Sequence, residues 1–102
     1  MDRIYQLAVR TLKASLRERV FRAKFRKEPE ARWYELAEFE KARFLDMKME
    51  LSALTGGKSI DPSSYDQAYG DAALEVLESL VSQGIPDAGT LLGELQPRER
   101  LL

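Results

Sequence analysis

Glu40 is the residue of this chain whose position is best suited to chemistry. It stands in the run Trp33, Ala37, Glu40, Phe44, Met47, Leu51 and Leu54, spaced alternately by four and three residues. That spacing marks the seam of a helix packed on other helices. A carboxylate in such a seam is either half of a buried ion pair or a ligand for a cation. Gly57-Lys58-Ser59 ends like a phosphate-binding loop, but Ser52 occupies the place of that loop's first glycine. The segment also follows a helical pattern where the loop requires a strand, so it reads as a helix stop and a linker. The stretch from Arg19 to Lys27 interleaves Phe21 and Phe25 with five basic residues. It could bind phosphates or an acidic partner, or be a solvated face whose aromatics complete a core.

Composition removes many other options. The 102 residues include no histidine and no cysteine. Imidazole bases, thiol nucleophiles, thiolate zinc sites and disulfides are therefore absent. No apolar run approaches the roughly 18 residues needed to span a bilayer, and the chain reads as cytoplasmic. The net charge of −1 hides a division. Residues 1–29 carry nine basic groups against three acidic ones, and residues 30–102 carry seven against fourteen. The simple reading is a basic helix packed beside acidic ones, their charges meeting at the interface edges. Nucleic-acid binding through the first helix is the competing reading, disfavoured because such domains usually carry net positive charge.

The elements that position these residues are helices. The spacing predicts helix 1 from about Arg3 to Arg26, capped by Asp2, with Phe21 and Phe25 off its main apolar stripe. Pro29 breaks that helix and suits the first turn of the next. Helix 2 should run to about Leu54 and stop at Gly56-Gly57. So short a connection forces the two helices antiparallel, which sets Glu40 opposite Arg17, with Arg10, Lys13 and Arg43 less direct. Helix 3 should start at Ser63 or Ser64 and run to about Gln83. Gly70 in its middle either weakens it or allows close helix approach. A short fourth helix is expected from Asp87 to Leu95.

The segment Trp33-Tyr34-Glu35-Leu36-Ala37-Glu38-Phe39-Glu40 resembles the second helix of ferritin-like proteins of the rubrerythrin type, with Trp33, Leu36, Ala37 and Glu40 matching. The resemblance implies a four-helix bundle with two metal ions on inward Glu and Glu-x-x-His groups. Here Arg43 stands at the histidine position, and Arg10 lies near the position of the first-helix glutamate. Glu18 is the one glutamate inside helix 1. The only metal ligands this pattern offers are therefore Glu18 and Glu40. Gly89-Thr90-Leu91-Leu92-Gly93-Glu94-Leu95 resembles the short tags that dock cargo onto encapsulin shells. Its alternative is a short amphipathic helix covering the bundle end.

The sequence thus predicts an all-α protein. Residues 1–84 form an antiparallel hairpin of two long helices plus a third, and 85–102 a short helix and tail. Two chains should pair into a four-helix bundle, because Phe21 and Phe25 need cover. The expected function is non-catalytic: a small interaction or assembly protein, without cofactor, with a homodimeric or other protein partner. Phe21, Phe25, Leu91, Leu92 and Leu95 are its expected contact residues, and Glu40 with Arg17 its buried ion pair.

Overall fold

The computed structural model describes residues 3–58 and 60–93. It is all-α: α1 (Arg3–Lys27), α2 (Ala31–Thr55), α3 (Pro62–Ser82) and α4 (Ala88–Gly93), with no strand among the described residues. The cap expected at Asp2 lies outside them. α1 ends among Lys24, Arg26 and Lys27, cations at the negative end of its dipole. The chain then turns within residues 28–30 and returns antiparallel. α2 ends where Gly56 takes the left-handed conformation (φ 65°) and its N–H donates to the Ser52 carbonyl. α3 is capped by Asp61 rather than by a serine: its carboxylate accepts from the Ser64 N–H, and Pro62 occupies the first turn. The missing N–H of proline is harmless there, since first-turn donors lack helical partners anyway.

α1 is the centre of the fold. α2 packs on one side of it, α3 on another, and α4 on both α1 and α3. Among the described residues α2 packs on α1 alone. Burial follows this layout. α1 buries eleven of its 25 residues, on more than one face, whereas the equally long α2 buries only five. The core joins Leu12, Leu16 and Val20 of α1 to Phe44 and Leu51 of α2 and to Val76 and Leu80 of α3. Ile85, Ala88 and Leu91 belong to the same core, so the described part of 85–102 is packed onto the bundle. Thr11 is fully buried on α1, and its hydroxyl is satisfied by donating to the Leu7 carbonyl at 2.7 Å.

The charge division is resolved at the helix edges. Arg22 Nη2 meets Glu38 of α2 at 2.7 Å, and Lys13 Nζ meets Glu75 of α3 at 2.9 Å. Arg3 approaches Glu50 of α2 at 3.8 Å. Such exposed pairs are individually weak, but they match a basic central helix to its acidic neighbours.

Two glycines test the backbone reading in opposite directions. A Cβ on either Gly56 or Gly70 would meet no atom within 4 Å, so neither glycine is there for a close approach. Gly56 needs its positive φ, and Gly56→Ala should cost about 1 kcal/mol through strain. Gly70 lies inside α3 with no such need, and Gly70→Ala should add about 0.5–1 kcal/mol. Urea midpoints of the two variants should therefore move to opposite sides of the parent; shifts in the same direction would refute the assignment.

Candidate interaction site

Glu40 is turned into the α1–α2 contact and is only 6% exposed. Its direct partner is Arg43, one turn on, with Nη1 at 3.3 Å from Oε1. This corrects the expected pairing with Arg17, which ranks behind Arg43 in its effect on the carboxylate. The physical reason is local: an i, i+3 neighbour on the same helix needs no exact cross-helix register. Burial pushes the Glu40 carboxyl above its ordinary value, while Arg43 and then Arg17 pull it back down. The Arg43 side chain is 44% exposed and keeps access to water.

Glu18 and Glu40, the residues a metal could have used, are engaged separately. A Glu18 oxygen accepts from Arg22 Nε at 2.7 Å. No group of three or more His, Cys, Asp or Glu side chains converges among the described residues. A shallow cleft of about 410 Å³ between α1 and α3 is lined in part by Tyr5, Lys13, Asp71 and Glu75. Its polar groups serve one another. The Tyr5 hydroxyl donates to Asp71, which pushes the phenol up to about 12, and Lys13 is paired with Glu75.

The expected contact residues are mostly covered by their own chain. Phe21 is buried and stacked on Trp33, ring centroids 6.2 Å apart. Phe25 is partly buried beside Tyr34, at 5.9 Å. The argument that these phenylalanines need a second chain is therefore corrected: the first turns of α2 supply the cover. Trp33 is in turn flanked by the Arg32 guanidinium at 4.2 Å and the Lys24 ammonium at 5.6 Å. Leu91 is fully buried and Leu92 partly so, which takes Leu91 out of any docking role. Leu95 lies outside the described residues.

Comparison with known protein families, curated proteins and solved structures found no match to this chain. The ferritin-like resemblance therefore rests on the residues already quoted. Among the described residues, no helix is long and apolar enough to cross a membrane.

The surface that does stand out was missed in the sequence. Tyr34, Leu36, Phe39, Leu45, Met49 and Leu54 are exposed large apolar side chains, all on α2. Phe39 is 59% and Met49 73% exposed. Only Leu74 and Val81, both on α3, join them among the described residues. The signal was present: apart from Leu54, these residues lie off the Trp33–Leu51 seam, and among the described residues α3 and α4 pack elsewhere.

Proposed function

We propose that this protein is a non-catalytic helical interaction or assembly module whose working surface is the outward side of α2. One observation carries the reading: six large apolar side chains are exposed on a 25-residue helix that packs on α1 alone. Apolar surface gathered on one element is characteristic of a docking site, whereas scattered exposed leucines need no explanation. The residue types support the same conclusion, since general bases and nucleophiles of the His and Cys kinds are missing from the chain. The module works in the cytoplasm and uses no cofactor. Its basic helix serves packing, with Arg3, Lys13 and Arg22 each facing an acidic residue of α2 or α3.

Apparent mass in an extract of its own cells tests this. The wild-type chain should run well above 11.7 kDa, and Phe39→Glu should return it toward that value while leaving its melting curve in place. A wild-type chain that runs as a free 11.7 kDa species in the extract refutes the reading.

A further inference from the structure

α2 carries a flank on which charge and apolar surface are arranged in order. Arg32, Leu36, Phe39, Arg43, Asp46, Glu50 and Leu54 follow one another at spacings of three and four residues, so they share one side of the helix. Leu36, Phe39 and Leu54 are exposed apolar groups near the two ends of this flank. Its cations, Arg32 and Arg43, lie at its start and at its midpoint. Both anions follow in its C-terminal half. Each charge remains accessible: Arg32, stacked on Trp33, and Glu50 make only long ion contacts, at 3.6 Å to Glu30 and 3.8 Å to Arg3, the Arg43 side chain beside Glu40 is 44% exposed, and Asp46 is exposed.

A flank whose cations come ahead of its anions is complementary to itself in one direction only. Two copies laid parallel would set Arg43 against Arg43 and Glu50 against Glu50. Two copies laid antiparallel, with the two-fold axis between Arg43 and Asp46, place Arg43 of each against Asp46 of the other, while Arg32 falls beyond the end of the partner's α2. A two-fold interface has this reciprocity by construction: if residue i meets j, then j meets i. The same alignment brings Leu36 and Phe39 of one copy toward the end of the helix that carries Leu54 in the other. α1 and α2 from two chains would then form four helices, the arrangement in which helical hairpins bury a second face. A foreign partner would not require α2 to complement itself.

We propose that the occupant of this flank is a second copy of the same chain, bound antiparallel, α2 on α2, about an axis between Arg43 and Asp46. The proposal rests on the reading of α2 as the working surface and names its partner. The chain has no cysteine, so introduced cysteines report without interference. Leu36→Cys and Leu54→Cys variants are purified and oxidised with diamide, separately and mixed. The mixture should give a disulfide-linked dimer joining position 36 to position 54, in several-fold higher yield than either variant alone. Asp46→Arg, a change at an exposed position, should shift the purified protein toward 11.7 kDa in light scattering with its thermal melt unchanged. Efficient self-crosslinking of each variant would indicate a parallel pair and overturn the proposal. A purified wild-type chain of 11.7 kDa at micromolar concentration also overturns it. In that case the docking reading survives if the chain still joins a larger complex in extract and Phe39→Glu releases it.

Discussion

Leu16→Ala should remove about 3–4 kcal/mol of stability, the largest loss expected from any single leucine truncation in the chain. Leu16 is 1% exposed and sits midway along the helix on which all the others pack. Truncation loses the transfer free energy of the missing carbons and leaves a cavity that three neighbours cannot close together. A domain of this size has a total stability of about 5–15 kcal/mol, so the variant approaches the edge of folding. Met49→Ala supplies the contrast. It removes a side chain of similar size that is already in water, and should change stability by less than about 0.5 kcal/mol. Urea unfolding followed by far-UV circular dichroism measures both, and equal losses would mean that α1 is not the hub of the fold.

Glu40→Leu should stabilise the protein, by about 1–2 kcal/mol at neutral pH. The buried carboxylate has one long contact, 3.3 Å to Arg43, and desolvation is the largest influence on it. Removing it does not strand a buried guanidinium, because Arg43 remains in reach of water. That exposure reverses what a fully buried pair would predict, namely a loss of roughly 3–5 kcal/mol on breaking it. The gain corresponds to a rise in melting temperature of roughly 4–8 °C for each kcal/mol.

The pH dependence has a definite sign. Glu40 holds its proton to higher pH in the folded chain than in the unfolded one. Between those two values the folded state binds more protons, so Glu40's contribution to stability falls as pH rises through that window. Below it, the neutral carboxyl no longer carries the cost of burying a charge. The advantage of Glu40→Leu over wild type should therefore narrow as pH falls toward the ordinary glutamate value of about 4.3. A variant that melts well below wild type at pH 7 would show that Glu40 anchors Arg17 after all.

Helix positions were legible because each end carries its own chemistry. Gly56-Gly57 ends α2 in the sequence as in the structure, whereas Pro29, expected in its first turn, lies just ahead of the Glu30 cap. The α3 cap was misread by two or three residues, since Asp61 ahead of Pro62 outcompeted Ser63 and Ser64. Longer-range relations were less visible. Periodicity shows that helix 1 has a wide apolar surface, but not which neighbour covers which part. Phe21 and Phe25 were therefore read as needing a second chain when Trp33 and Tyr34 cover them. A seam pattern likewise describes what a helix buries and is silent about the rest of its circumference. For that reason the apolar residues on the outward side of α2 emerged only once α3 was seen to lie elsewhere.

The unequal anchoring of the helices also has a kinetic consequence. α1 is held by three neighbours and α2 by one. Detaching α2 breaks a single interface, whereas exposing α1 requires dismantling the whole domain. In a single chain, amide protons of α2 should exchange with solvent through a partial opening that leaves α1 and α3 joined. Those of the middle of α1 should exchange only through global unfolding. The helix that presents the sticky surface is thus also the one that can leave and return by itself.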